Sequence, residues 1–215
     1  MFKKILKLAL IYLTILLLLL ISLNIVNLIP KKCIDSNVRK SYITLKQEGA
    51  FPKQKFTYNY LLDNYTDALM INTAYSVDPR KPLKSAILMR RNYMPNGDLS
   101  LEKIDNENNT IENLGKTLEE SNTTYYEYSR YWHGYMLYLR PLLALFDYTQ
   151  IRVILQSIII ILSVILMYLS YKKINIYALI ATIFTLVISN FCFIGMSIQY
   201  SSAFIIMLLA SIYII

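Results

Sequence analysis

The hydrophobic and polar positions divide this chain into an apolar run, a long polar stretch and a second apolar part. From Leu8 to Ile29 no residue is charged, and at ~1.5 Å per residue this run covers the ~30 Å hydrocarbon core of a bilayer. Backbone groups in lipid must pair within their own segment, so the run predicts a transmembrane helix. It exceeds the ~7–15 apolar residues of a signal peptide and no small-residue cleavage site follows, which indicates a retained anchor.

The apolar pattern returns after residue 152, in the runs Val153–Leu169, Ile176–Ile194 and Ala203–Ile215. These runs predict transmembrane helices 2 to 4, and the last one is still hydrophobic at Ile215, so we expect an N-terminal piece of a larger multi-pass protein. The predicted fold class is an all-α membrane protein. Its three parts are residues 1–29 (cytoplasmic tip and first helix), 30–152 (extracytoplasmic loop domain) and 153–215 (further transmembrane helices).

Lysines orient these predicted spans. Lys3, Lys4 and Lys7 precede the first span, and Lys172 and Lys173 fill the short gap between the second and third. Short loops rich in Lys and Arg stay in the cytoplasm, so the N-terminus is predicted inside and residues 30–152 outside a cell membrane. Much of the net charge of +8 is therefore a topology signal, and a membrane lipid surface is a better partner for it than nucleic acid.

The polar stretch predicts a largely helical outer region. Helices are expected over residues 36–47, 60–76, 82–93, 111–120 and 123–132, the first capped by Ser36 and ended by Gly49. The segment 135–146 is apolar nearly all round but too short to span and contains Arg140-Pro141, so it predicts an interfacial helix with Tyr135 and Tyr138 at headgroup depth. Thr149 is expected to cap the second span.

Two acidic residues in the outer region are candidates for chemistry. Asp63 and Asp67 are four positions apart, so on one helix their carboxylates share a face. Such a like-charged pair is used where it holds a divalent cation, shares a proton or supplies a general base to a substrate hydroxyl. The alternative is a solvated helix face without a catalytic role.

An aromatic segment with two arginines is the second candidate. Arg130, Tyr131, Trp132 and His133 lie together, and Arg140 follows seven residues later. Aromatic faces stack on sugar rings and guanidinium groups bind phosphate bidentately, so this set predicts substrate binding. The alternative is an interfacial aromatic belt whose arginines reach lipid headgroups. His133 is the only histidine, which argues against a metal-ligand role for it.

The layout of an inside N-terminus, one span, a long outer loop and short-looped spans resembles the GT-C class of polyprenyl-phosphate-sugar-dependent membrane glycosyltransferases. Asp67, or Asp63 beside it, lies where that class keeps an essential acid in its first outer loop. The strings Leu-Asp-Asn-Tyr-Thr-Asp-Ala-Leu-Met and Tyr-Ser-Arg-Tyr-Trp-His-Gly-Tyr also resemble segments of uncharacterised bacterial multi-pass membrane proteins. The acidic neighbour that usually follows the essential acid is missing, because Asp67 is followed by Ala68.

The resemblance implies an envelope enzyme that moves a sugar from a polyprenyl-phosphate-linked donor at the outer membrane face. In that interpretation Asp67 is the base or the holder of a divalent cation, Arg130 and Arg140 hold the donor phosphate, and Trp132 or Tyr131 stacks on the sugar. The rival interpretation is a non-enzymatic component, a polysaccharide export or polymerisation partner or an envelope sensor. No Gly-rich phosphate loop, nucleophile elbow or Cys-x-x-Cys pair is present, and Cys33 and Cys192 suit no metal site.

Overall fold

The computed structural model of this chain describes residues 2–53, 61–93, 109–119, 124–127, 129 and 133–215. These residues form a helical protein with one short antiparallel ribbon. The helices are α1 (Phe2–Asn27), α2 (Lys31–Glu48), α3 (Asn64–Tyr75), α4 (Pro82–Leu88), α5 (Asn109–Glu119), α6 (Met136–Leu145), α7 (Tyr148–Leu169), α8 (Ile176–Ile188), α9 (Phe191–Ile194) and α10 (Ile198–Ile214), and a π-helical turn, Ser170–Ile174, follows α7. The ribbon pairs β1 (Arg90–Tyr93) with β2 (Thr124–Glu127). Among these residues the exceptions to the predicted all-α class are the ribbon and an isolated antiparallel bridge between Lys53 and Leu61.

Among the described residues, two helices are long and apolar enough to cross a membrane, the stretches Lys3–Asn27 and Tyr148–Ile174. The first is almost bare: only its C-terminal part is covered, where Leu23 and Asn27 are fully buried, whereas Leu10 and Leu17 are more than half exposed. An apolar helix without a protein partner over most of its length is the form expected of a lipid-facing segment, which favours membrane association.

The region between α1 and α7 folds around α2 and α3. Helix α2 buries Ile34, Val38 and Leu45 on one stripe, against α3, α5, α6 and α7. It begins right after Pro30, so the prediction that Ser36 caps it is wrong, and the prediction that Gly49 ends it is confirmed. Gly49 has φ +80°, a backbone conformation that glycine adopts without a steric penalty.

Three of the predicted outer helices have different bounds or a different form. The helix expected over 60–76 begins only at Asn64, because the Asp63 side chain caps it. The helix expected over 82–93 ends at Leu88, where Met89 adopts a left-handed conformation with φ 43°, and β1 follows. The helix expected over 123–132 is replaced by β2 at residues 124–127, where aromatic side chains favour a strand.

Helix α6 lies within the predicted interfacial segment 135–146, but one face of it belongs to the protein core. Met136, Leu139 and Leu143 are fully buried, and Leu145 is 71% exposed. The Tyr138 hydroxyl, which was expected at headgroup depth, bonds the Ser202 hydroxyl at 2.6 Å and donates to the Ile198 carbonyl at 3.2 Å. The Tyr138 side chain therefore links α6 to the start of α10.

The second apolar part differs from the predicted spans at three places. Helix α7 starts at Tyr148, five residues before the expected Val153, and a capping box of Asp147 and Gln150 starts it instead of Thr149. The expected span 176–194 is interrupted, because α8 ends at Ile188 after 13 residues and reaches only about 20 Å. Asn190 is left-handed there, with φ 52°, and α10 then begins at Ile198 rather than at Ala203.

Helices α7 and α10 start at the same side of the molecule. Tyr148 at the beginning of α7 and Ile198 at the beginning of α10 both bond the carboxylate of Asp67 in α3. Helix α8 runs back along α7, since Ser170 pairs with Thr182 and Gln156 contacts the segment after α8. Helix α3 therefore contacts the N-terminal ends of α7 and α10.

Candidate functional site

The predicted catalytic acid Asp67 is the centre of a buried polar cluster between α3, α7 and α10. Asp67 sits in the first turn of α3, and the turn points it inward, so its side chain is fully buried. The cluster also contains Glu48 at the end of α2, Asn64 in α3, and Tyr148 and Arg152 in α7.

Both carboxylate oxygens of Asp67 are occupied. Oδ2 accepts the Tyr148 hydroxyl at 2.7 Å and the Ile198 N–H at 3.0 Å, and Oδ1 accepts the Ser197 hydroxyl at 3.2 Å and the Gln199 N–H at 3.1 Å. The N-terminal N–H groups of a helix lack partners within the helix and carry partial positive charge. Ser197 makes no side-chain cap of its own, so Asp67 caps α10 from a neighbouring helix.

Arg152 is the positive charge of the cluster. Its Nη1 donates to both carboxylate oxygens of Glu48 at 2.8 Å, and its Nη2 donates to Asn64 Oδ1 at 2.6 Å and to the Tyr148 hydroxyl at 2.7 Å. The guanidinium also lies over the Tyr148 ring, 3.9 Å from its centroid. The Arg152 side chain is 3% exposed, whereas that of Glu48 is 33% exposed. The cluster thus runs from a partly exposed carboxylate to a fully buried one.

The electrostatics of the cluster centre on the burial of Asp67. Burial raises the pKa of Asp67 to about 6, while hydrogen bonds from Tyr148 and from the Ile198 and Gln199 N–H groups, together with the charge of Arg152, oppose the rise. Asp67 is therefore ionised at pH 7, and it can take up a proton in mildly acidic conditions.

Asp63, the second predicted catalytic residue, has a different environment. It precedes α3, and its carboxylate accepts the Thr66 N–H at 2.9 Å and the Thr66 hydroxyl at 2.8 Å. It is the N-cap of α3. The expected pair of carboxylates on one helix face does not form, because Asp63 lies outside the helix and only Asp67 enters the buried cluster.

Arg140, predicted to hold a donor phosphate, is fully buried in α6. Its Nε donates to the Val26 carbonyl at 3.1 Å, and its two Nη groups donate to the carbonyls of Ala74 and Ile29. These carbonyls lie at the C-terminal ends of α1 and α3, where a cation is favoured. Burial lowers the pKa of Arg140 to about 10. All of its nitrogens bond backbone oxygens, so in this structure it ties α1 to α3 and presents nothing to a phosphate.

The remaining predicted substrate-binding residues are only partly described. Arg130, Tyr131 and Trp132 lie outside the described residues, so their roles stay predictions. His133 is 4% exposed, and its Nδ1 lies 3.1 Å from the Tyr135 hydroxyl, with the two rings edge to face. The structure brings His133 to the start of α6 and not to the Asp67 cluster.

Among the described residues, the side chains of the Asp67 cluster bond one another and the backbone of α10. No group of three His, Cys, Asp or Glu side chains suited to a metal ion occurs among the described residues. Asp67 has the proton affinity of a general base, but its oxygens are filled and it has no exposed surface. In this arrangement the cluster joins four helices, α2, α3, α7 and α10.

Sequence reasoning missed Glu48, Asn64, Tyr148 and Arg152. The usable signal was the spacing of Tyr148 and Arg152, which lie one turn apart on one face of an apolar helix. A charged residue in such a position needs a buried partner, and its presence there points to one. The partners themselves come from α2 and α3, and no local pattern identifies them.

Comparisons with known proteins add no relationship. No family model, no curated protein and no solved structure matches this chain.

Proposed function

We propose that this chain belongs to a multi-pass protein of the cell membrane, in which α1 and α7 cross the bilayer and the region from α2 to α6 faces outward. The bare apolar surface of α1 supports this proposal. So do the charges: Lys172 and Lys173 lie at the far end of α7, away from the outer region, and Lys3, Lys4 and Lys7 lie at the free end of α1. Both groups are then cytoplasmic, which agrees with the positive-inside rule.

Cysteine labelling tests this orientation. Cys33 is exposed at the start of α2. In a Cys192→Ser background, a membrane-impermeant maleimide added to intact cells should label Cys33. The matched control is Lys173→Cys in a chain without either native cysteine, which should react only after the membrane is opened. Labelling of Lys173→Cys in intact cells, with Cys33 protected, would reverse the orientation.

For the activity, we propose that the protein is a non-enzymatic membrane component. Its outer domain rests on α7 and α10 and binds a partner in the envelope. The observation that carries this proposal is the closed state of the Asp67 cluster. A catalytic base must come within hydrogen-bond reach of the proton that it removes. The carboxylate of Asp67 has no exposed surface, and four internal donors fill it.

A lipid-linked-sugar-dependent glycosyltransferase is the second candidate. Its support is the layout of the chain, together with the pKa of about 6 of Asp67, which suits a proton acceptor near neutral pH. In this candidate the first turn of α10 moves away from α3, and Asp67 then meets an acceptor hydroxyl or a divalent cation.

Two variants separate these candidates, Asp67→Asn and Tyr148→Phe. Each removes part of the same cluster, but only the first removes the acid. Sugar transfer from a polyprenyl-phosphate donor is measured in membranes and normalised to correctly inserted protein, and thermal stability is measured in detergent. The non-enzymatic proposal expects no transfer above background in any form, and lower melting temperatures for both variants.

Transferase activity in the unmodified protein would overturn the non-enzymatic proposal. A loss of 10²-fold or more in Asp67→Asn, with activity kept in Tyr148→Phe, would then assign Asp67 as the base, because general bases contribute about 10²–10⁴-fold. Equal losses in both variants would instead assign the cluster to folding.

A further inference from the structure

A groove of about 850 Å³ runs along one side of α10. Phe204 and Met207 of α10, Ile194 of α9 and Leu61, which precedes α3, are among the residues that line it. The groove is open to the surroundings and mainly apolar. It begins where the outer region meets α10, so it extends from the outer domain down the helix.

The break between α8 and α10 shapes this groove. Gln156 of α7 clamps the break, because its amide donates to the Phe191 carbonyl at 3.1 Å and accepts the Gly195 N–H at 2.9 Å. Gly195 sits so close to α7 that a Cβ atom there would lie 2.3 Å from the Gln156 Cα. Irregular backbone at membrane depth is tolerated where protein groups satisfy it, and Gln156 does so here. The contacts between Gln156 and the segment after α8 therefore fix the shape of the groove.

The polarity of the groove changes along its length. Gln199 and Tyr200 lie at the outer end, and Phe204 and Met207 lie one to two turns further along α10. From Gln199 to Met207 the helix rises about 12 Å. A polar end at the outer surface and an apolar end about 12 Å deeper match the outer part of a single lipid chain below its head group.

The charges near the outer end select against an anion. None of the described residues that line the groove is charged. The start of α3 lies against this end of the groove: the lining residue Leu61 is two residues before Asp63, and the N–H of the lining residue Gln199 donates to Asp67 Oδ1 at 3.1 Å. The negative charge of Asp67 is opposed by Arg152, whereas Asp63 is partly exposed at the N-cap of α3. A carboxylate can accept about four hydrogen bonds, and Asp63 uses two of them within α3, so it keeps capacity for hydroxyl donors.

We propose that this groove holds one hydrocarbon chain of a membrane lipid whose head group is uncharged and rich in hydroxyl groups, such as a glycosyl diacylglycerol. The chain lies along Phe204 and Met207, the hydroxyl groups meet Asp63 and Gln199, and the ring of Tyr200 lies beside the sugar. An anionic phospholipid is disfavoured because its phosphate meets the Asp63 carboxylate. This inference rests on the membrane placement proposed above, but not on any catalytic activity.

Photolabelling with matched lipids tests the proposal. The full chain is placed in phosphatidylcholine nanodiscs with a monoglucosyl diacylglycerol or a phosphatidylglycerol that carries the same diazirine-labelled chains, and mass spectrometry locates the label. Both head groups offer hydroxyls, and only the second is charged. Labelling between Tyr200 and Met207 should be about fivefold higher for the glucolipid, the ratio expected from unit charges ~4 Å apart in a high-dielectric surface layer.

Three variants make the test specific. Asp63→Asn keeps an N-cap side chain and removes the charge, so it should abolish the head-group preference. Ala203→Trp fills the groove and should lower labelling by both lipids several-fold. Its matched control is Ile206→Trp on the outer face of the same helix, where Ile206 is 67% exposed, and this variant should label like the unmodified chain.

Equal labelling by the two lipids in the unmodified chain would overturn the proposal, and this comparison needs no variant to fold. Retention of the preference in Asp63→Asn would also overturn it, as would equal losses in Ala203→Trp and Ile206→Trp. A result in which the glucolipid preference holds and no sugar transfer is found would support the groove and leave the non-enzymatic proposal standing. The two proposals therefore fail independently.

Discussion

Arg152→Met is the sharpest perturbation of the cluster that joins α2 and α3 to α7. Methionine keeps much of the length of the side chain and its packing on the Tyr148 ring, but it removes the positive charge and all of its hydrogen bonds. Glu48 then loses its bidentate partner, and Asn64 and Tyr148 each lose a donor. Asp67 remains buried without a compensating cation.

The expected loss of stability is about 3–5 kcal/mol at pH 8, the range for removal of one partner from a buried ion pair. Glu48→Gln is the milder control. The Glu48 side chain is 33% exposed and can be hydrated, and a glutamine in its place still accepts one hydrogen bond. A loss of stability of about 1–2 kcal/mol is therefore expected for this variant. For a chain of this size ~1 kcal/mol shifts the melting temperature by about 2–4 °C, so Arg152→Met should melt about 6–20 °C lower.

Asp67 is the group that should make the stability loss of Arg152→Met depend on pH. Its folded-state pKa of about 6 lies above the ordinary value of 3.8, so the folded protein binds this proton more tightly than the unfolded chain does. In the unmodified protein this group makes the fold more stable as pH falls from about 6 to about 4, by up to about 3 kcal/mol. Removal of Arg152 raises the pKa of Asp67 further, so Asp67 becomes neutral at a higher pH. The loss of stability in Arg152→Met should therefore shrink to about 1–3 kcal/mol at pH 5.

Thermal unfolding in mild detergent, followed by circular dichroism at pH 5 and pH 8, measures both effects. The double variant with Glu48→Gln completes a cycle and isolates the coupling between the two side chains. A melting shift in Arg152→Met below about 2 °C, or one of equal size at both pH values, would refute the role assigned to the cluster.

Further predictions concern the tight contacts and the helix cap. Gly195→Ala should lower stability by about 1–3 kcal/mol in the same melting assay, because the new Cβ meets the backbone of Gln156. Gly115→Ala should cost less, since the three atoms nearest to its Cβ belong to the Tyr42 side chain, which can move, and a larger effect than in Gly195→Ala would contradict this reasoning. Asp63→Ala should lower stability by about 1 kcal/mol through loss of the cap of α3, and Asp63→Asn should not, which a comparison of their melting curves decides.

The helical class and most helices follow from local signals in the sequence. The charge-free run before Pro30 specifies α1, because an uncharged apolar segment of that length satisfies its own backbone and suits lipid. Gly49 ends α2 with a positive φ, which glycine adopts without a steric penalty, and the polar pattern after residue 109 locates α5. Each of these outcomes depends on contacts within a few residues, which a pattern in the chain can encode.

The tertiary structure determines the bounds and the burial of elements whose contacts lie far away in the sequence. The apolar run 176–194 reads as one continuous helix, and it breaks after Ile188 because Gln156 of α7 satisfies the freed backbone. Spacing alone places Asp63 and Asp67 on one helix face. In the structure Asp67 is buried, because it bonds N-terminal N–H groups of α10, and one of these, that of Ile198, lies 131 residues further along the chain. Arg140 likewise found its acceptors at the ends of α1 and α3. The partners of a buried charge are the groups that helix packing places next to it. Local sequence does not show which groups these are.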